Sequence, residues 1–425
     1  LDGSLFPENQ QKLVITCAPY GPEWEPSDFP EDIPVTMEDQ IQKAVDCYNA
    51  GATVIHIHVR ELDGKGSKRL SKFNELIAGI RARVPDMILQ VGGSISFAPE
   101  GEGETAKWLS DDTRHMLAEL TPKPDQVTIA INSNQMNVVE QMCPADVAGT
   151  SLGTPAGYAA YSEMTIPAGP AWVEEHIKRL SANGIQTHFQ LANITQLETV
   201  ERNMRRGACN VPLILTWVAI GGGFDAPNIY NLANFVRACP DGAVLTLETS
   251  MLNVLPLNMM AIAMGLHVRC GIEDNIWTQD RSRKMSTVEQ IEQLVRIAKE
   301  FGRPVANAKE AREIYKIGTF YKDADETLAE NGFAPNRKAG QKGFTTSGFE
   351  LAFGVCHVGH FLLTRLLLDR LKAAAPSRVV VVASRAHRHA KGIDFAAVRQ
   401  PSRSRGGLMD YSVAKLANIL FAAEL

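Results

Sequence analysis

The sequence predicts an α/β chain in which a (β/α)8 TIM barrel is followed by a partial Rossmann-type α/β segment. Three observations carry this expectation. Short β-branched runs alternate with helix-periodic segments from the amino end to about residue 320. The alternation repeats eight times in one run, which favours a closed barrel over an open doubly wound sheet. After Asn331–Thr346, a stretch rich in Gly, Asn, Lys and Gln, the pattern starts again. The domain reading is therefore a barrel over 1–330, a linker over 331–346 and a second segment over 347–425.

The expected strands are Leu13–Ala18, Thr53–Val59, Ile88–Val91, Gln126–Ile131, Gln186–Leu191, Leu213–Val218, Val244–Thr249 and His267–Cys270. Helical periodicity falls between them at Met37–Asn49, Leu70–Arg83, Asp111–Leu120, Ala171–Ala182, Gln196–Arg206, Ile229–Ala238 and Leu257–Met264. Thr36, with Asp39 three residues on, reads as the N-cap of the first helix. Two charged amphipathic helices, Ser286–Phe301 and Ala308–Ile317, follow the eighth strand. Beyond the linker come a helix (Gly348–Ala374), an aliphatic strand (Arg378–Ala383) and a final helix (Asp410–Leu425).

Composition narrows the function classes. Apolar residues make up 45% and charged residues 21% of 425, a globular mixture. Lys plus Arg number 43 against 48 Asp plus Glu, a net charge of −5 that gives no footprint for nucleic acid. Seven cysteines with no C-x-x-C pair read as reduced thiols in a cytoplasmic protein. The stretch Val254–Val268, interrupted by Asn258 and His267, is too short to span a bilayer, so no membrane partner is expected.

The strongest chemical signal is Val54-Ile55-His56-Ile57-His58-Val59-Arg60. Side chains alternate along a strand, so His56 and His58 share one face and the aliphatic residues the other. Such a pair at a barrel mouth suits a divalent metal ion, zinc first; the plainer alternative is two structural histidines. Glu273, just past the eighth strand, is placed to be the third ligand, or else to be a helix-start acid. Arg269 and Asp274 flank it, either as carboxylate anchor and proton carrier or as a simple ion pair. Glu23, after the first strand, is an acid, base, substrate anchor or solvated loop charge. Gly221-Gly222-Gly223 and Gln90-Val91-Gly92-Gly93-Ser94 form glycine-bearing turns at the same end, and Thr128 lies on the fourth strand.

Residues 12 to 320 resemble the β-keto acid cleavage enzymes. The resemblance runs through Leu13-Val-Ile-Thr-Cys-Ala, Ala50-Gly-Ala-Thr-Val-Ile-His-Ile-His-Val-Arg-Glu, His267-Val-Arg-Cys-Gly-Ile-Glu-Asp-Asn and Ala298-Lys-Glu-Phe-Gly-Arg-Pro. It implies zinc held by His56, His58 and Glu273, with Arg269 and Asp274 activating the substrate and Glu23 and Thr128 lining its pocket. It also implies exchange between a β-keto acid and acetyl-CoA, giving acetoacetate and a new acyl-CoA, in a homo-oligomer, a tetramer. Where the family usually carries Ser or Thr two residues after the third-strand Gln, this chain has Gly92, and Ser94 is the substitute hydroxyl in the substrate pocket. Gln186-Thr-His-Phe-Gln-Leu lacks the acids of the member that takes an amino-keto acid, so an ammonium-bearing substrate is disfavoured. A TIM-barrel metallohydrolase is the alternative, with His188 as a further imidazole.

Residues 347–425 resemble the short-chain dehydrogenases in their retinol-dehydrogenase-like branch, through Gly348-Phe-Glu-Leu-Ala-Phe-Gly-Val-Cys-His-Val-Gly-His-Phe-Leu-Leu-Thr, Arg378-Val-Val-Val-Val-Ala-Ser and Asp410-Tyr-Ser-Val-Ala-Lys-Leu-Ala-Asn. That likeness implies Ser384, Tyr411 and Lys415 as a vestigial dehydrogenase site. The glycine-rich dinucleotide loop has no counterpart, and Cys356 stands at the family's Asn position. The segment therefore reads as an inert remnant of a fusion or frame error; NAD(P)-dependent oxidoreduction through it is the remaining alternative.

Overall fold

The computed structural model describes residues 5–425 apart from 22, 68, 93–96, 99–106, 109–113, 133–137, 163–167, 251–253, 338–342 and 403–405. The chain divides into two compact units, Leu1–Pro335 and Asn336–Leu425.

In the first unit eight strands close a parallel barrel: β1 (Ile15–Cys17), β2 (Val54–Ile57), β3 (Ile88–Val91), β4 (Gln126–Ala130), β5 (Gln186–Leu191), β6 (Ile214–Val218), β7 (Val244–Glu248) and β8 (His267–Cys270). Each pairs in parallel with its sequence neighbours, and β1 closes the ring on β8. All eight strands expected of the barrel are present. The two-residue period sorts their side chains. Ile15, Cys17, Ile55, Ile57, Leu89 and Phe189 face outward into the main core shared with the helices. Each such buried side chain contributes about 1.5–3 kcal/mol. Val14, Val54, Ile88, Ile214 and Val244 point inward and meet around Tyr315 to close the barrel floor.

The outer layer contains α1 (Met37–Ala50), α2 (Leu70–Arg83), α3 (Pro170–Ala182), α4 (Ile194–Arg205), α5 (Ile229–Ala238), α6 (Leu255–Ala263) and α7 (Thr287–Phe301). The Asp39 backbone N–H donates to Thr36 Oγ1 at 3.2 Å, the cap read from the sequence. A closing helix, α8 (Ala308–Ile314), stops three residues earlier than its periodicity predicts. Lys316 turns the chain with φ 47°, and Tyr315 donates or accepts a 2.8 Å hydrogen bond with Thr246. The helix expected over Asp111–Leu120 lies partly outside the described residues; what is described ends in a short 3-10 turn, Met116–Glu119.

The second unit has two principal helices, α9 (Leu351–Ala373) and α10 (Leu408–Glu424), around a small core of Phe353, Val398, Ala414 and Ala417. The run Arg378–Ala383 forms no strand, contrary to expectation. A strand needs a neighbour to receive its backbone hydrogen bonds, and the described residues of this unit supply none. Val380 is accordingly 84% exposed. By length and composition alone α9 is long and apolar enough to cross a membrane.

Candidate metal centre and active site

Strand β2 and the residue just past its end deliver His56 and His58, whose rings meet edge to face with centroids 5.1 Å apart. The turn after β8 delivers Glu273. That turn requires Gly271: at φ 135° it packs so close to β1 that a Cβ would stand 2.1 Å from the Ala18 carbonyl oxygen. Glu273 Oε1 then lies 3.5 Å from both His56 Nε2 and His58 Nε2. One ligand atom from each of the three residues falls within 4.8 Å of the others. Glu273 Oε2 is buried without a hydrogen-bond partner among the described residues. Two imidazoles and a carboxylate whose second oxygen is buried and orphaned fit a divalent cation of the zinc type.

The electrostatics agree. Burial, reinforced by the Arg269 charge, holds the His56 imidazole well below its usual range, so it stays neutral. Burial pushes Glu273 up, but Arg269 and the two imidazoles outweigh it and hold the carboxyl well below the usual range. Neutral imidazole and ionised carboxylate are the forms a metal requires.

Arg269 organises the acids beside the triad. Its Nε donates to Asp274 Oδ2 at 2.9 Å, and its Nη2 donates to Asp274 Oδ1 and Glu273 Oε1, both at 2.8 Å. Burial raises Asp274 to about 6 against the pull of this guanidinium. Glu248, at the end of β7, approaches Arg269 Nη1 at 3.4 Å and is pushed by burial to about 8. The sequence reading missed Glu248; its inward parity with Thr246 on β7 was the available signal.

Glu23 sits half-buried at the mouth, raised to about 7 by burial and then by the Glu273 charge. Its loop is fixed by Arg60, also missed, whose Nη2 donates to the Gly21 and Trp24 carbonyls. Glu23 and Arg60 open onto a cleft of about 870 Å³ that runs past Lys65, Ser151 and Tyr161. Thr128 is buried and donates to the Val91 carbonyl at 3.4 Å. Gly92 lies against the two imidazoles. Ser94 lies outside the described residues. His188 is outside the triad; its Nε2 shares a 2.8 Å hydrogen bond with Thr216.

Residues 12–317 match the family described as beta-keto acid cleavage enzyme. The chain belongs to this family. It is 28% identical over 310 residues to the 3-keto-5-aminohexanoate cleavage enzyme of Acetoanaerobium sticklandii, covering 72% of this chain and 99% of that one. The same-named enzyme of Fusobacterium nucleatum is 27% identical over 309 residues, 72% of this chain and 98% of that one. A separate likeness covers 81 residues, 19% of this chain: 51% identity to human retinol dehydrogenase 13, of which it spans 24%.

The dehydrogenase-like part of this β-keto acid cleavage family member carries Ser384, Tyr411 and Lys415 in the second unit. Lys415 Nζ donates to the Val382 carbonyl at 3.0 Å and lies 5.5 Å from the centre of the Tyr411 ring. Ser384 Oγ accepts from the Ala386 backbone N–H and caps a short helical turn.

Proposed function

We propose that this family member exchanges acyl groups between a β-keto acid and acetyl-CoA, giving acetoacetate and a new acyl-CoA, with zinc or another divalent ion held by His56, His58 and Glu273. The observation that carries the reading is the convergence of those three ligand atoms next to the Arg269–Asp274 pair. Such an ion, when bound, supplies Lewis-acid polarisation of the keto oxygen.

The protein's own groups do the remainder. Asp274, held in two-point contact by Arg269, takes the weakly held proton from the carbon between the two carbonyls and later returns it. Arg269 stays charged throughout, because Asp274, Glu248 and Glu273 together overcome the cost of its burial. Thr128 and Glu23 line the substrate pocket, and the cleft beyond Glu23 has room for the rest of the substrates. The carbanion so formed attacks the thioester carbonyl of acetyl-CoA and releases CoA thiolate. That thiolate then takes the substrate's acyl group as the carbon–carbon bond breaks and acetoacetate leaves, so no Ser or Cys nucleophile is required. A neutral or acidic side chain is the favoured substrate class, since Gln186 and Gln190 bring no charge to β5.

All seven cysteines are free, which supports a reducing, cytoplasmic setting. A homo-oligomer remains part of the reading. Purified protein supplied with acetyl-CoA and a panel of β-keto acids should form acetoacetate, and His56→Ala should abolish it. Hydrolysis that needs no acetyl-CoA would instead favour a metallohydrolase.

A further inference from the structure

Three glutamines on adjacent strands cross the barrel interior at one level. The register sets His56 beside Gln90, Gln90 beside Gln126, and Gln126 beside Gln186. All three glutamines are at most 2% exposed. Their amides join end to end. Gln90 Oε1 lies 2.8 Å from His56 Nδ1, Gln90 Nε2 donates to Gln126 Oε1 at 3.0 Å, and Gln126 Nε2 donates to Gln186 Oε1 at 2.7 Å. Gln186 Nε2 finally donates to the backbone carbonyl of Lys316 at 3.1 Å, with the Tyr315 carbonyl at 3.5 Å.

The far end gives this chain its direction. A backbone carbonyl can only accept, so Gln186 must present its NH2 to Lys316 and its oxygen to Gln126. Gln126 must then turn its oxygen to Gln90, and Gln90 its oxygen to His56. Reversing Gln126 or Gln186 sets oxygen against oxygen at one contact and NH2 against NH2 at the other, and reversing Gln90 sets its oxygen against the oxygen of Gln126. Reversing all three sets the Gln186 oxygen against the two carbonyls, an uncompensated clash in a dry interior. His56 Nδ1 faces an acceptor and so carries the proton, which leaves the lone pair on Nε2, 3.5 Å from Glu273 Oε1. Neutral amides achieve this without adding a charge to the site.

We infer that Gln90, Gln126 and Gln186 form a buried amide relay, polarised by the carbonyls of Tyr315 and Lys316, that holds His56 in its Nδ1–H tautomer and keeps Nε2 free as the metal-ligating nitrogen. Gln126 and Gln186 are positioning residues: they act on the metal only through His56. The inference rests on the metal reading above and extends it to the strand β5 side of the barrel.

The test uses the full chain labelled with 15N-histidine. Long-range proton–nitrogen correlation on metal-free protein reads the His56 tautomer, assigned by difference against His56→Asn, and Zn2+ alone is titrated against a chromogenic chelator. Wild type should show Nδ1–H. Gln126→Met, which removes both hydrogen bonds at similar size, should give mixed tautomers and weaken Zn2+ binding about 10–100-fold. As the neutral acid, Gln126→Glu still accepts from Gln90 Nε2 and donates to Gln186 Oε1, and should keep the tautomer and bind Zn2+ more tightly than Gln126→Met at the same pH. A packing role predicts the reverse order, because a buried Met is tolerated better than a buried Glu. If Gln126→Met does not fold, Gln186→Met breaks the relay at its anchor and is read in the same way. An unchanged tautomer and affinity in the Met variant overturns the relay, as does a Glu variant weaker than the Met variant. A wild-type chain that takes up no Zn2+ sinks the metal reading alone, because the tautomer is measured without metal.

Discussion

Gly92 approaches the His58 imidazole so closely that a Cβ at position 92 would stand 2.4 Å from His58 Cε1 and 2.5 Å from its Nε2, and 2.6 Å from His56 Nε2. The hydrogen side chain therefore preserves the space in front of both ligand nitrogens. With the rings placed as they are in this chain, Gly92→Ala requires them to shift, and overpacking of this kind costs about 1–3 kcal/mol. Zn2+ affinity is expected to fall by about 10-fold or more in a chelator competition; wild-type affinity would count against this role for Gly92.

The Arg269–Asp274 contact separates proton transfer from metal retention. Asp274→Asn keeps the shape but cannot accept the substrate proton. Acetoacetate formation is expected to fall by about 10²–10⁴-fold while the metal content stays at the wild-type level. A variant that retains turnover, or that loses its metal in parallel, contradicts the assignment.

Three histidines outside the triad make the fold acid-sensitive. Burial lowers His176, His188 and His267 to about 3, with nearby arginine or histidine charges adding to the effect. Unfolded, each titrates near the ordinary 6.5. Between those values the unfolded state binds more protons, so stability is lost as pH falls below about 6.5 and levels off near 3. The loss amounts to on the order of 2 kcal/mol per histidine by pH 5. Thermal melts from pH 7 to 5 should show a steep fall in Tm; a flat profile would contradict the burial argument.

His56, His58, Glu273, Arg269 and Asp274 all fall within the first unit, Leu1–Pro335. Chain ending at Pro335 is expected to keep Zn2+ binding and acetoacetate formation within about twofold of the full chain. NAD-dependent alcohol oxidation by the full chain, lost in Tyr411→Phe, would overturn the reading of this unit as inert.

The barrel was legible because period-2 and period-3.6 patterns alternate cleanly: strands such as Ile88–Val91 and helices such as Leu70–Arg83 fall where the sequence places them. The triad was legible because His56 and His58 are two residues apart on one strand and Glu273 follows another. Glu248 and the glutamine row were not, since their meaning depends on which inward residues of neighbouring strands stand level, a register that no local pattern encodes. Arg378–Ala383 misled for a related reason: a β-branched run becomes a strand only when another strand receives it.

The most direct measurement is anomalous diffraction at the zinc edge from crystals of the Zn2+-loaded chain. One strong peak about 2.1 Å from His56 Nε2, His58 Nε2 and a Glu273 oxygen is expected, and it should vanish in His56→Ala. A peak elsewhere, or full acetoacetate formation by protein stripped of metal by a chelator, would contradict the account at its root.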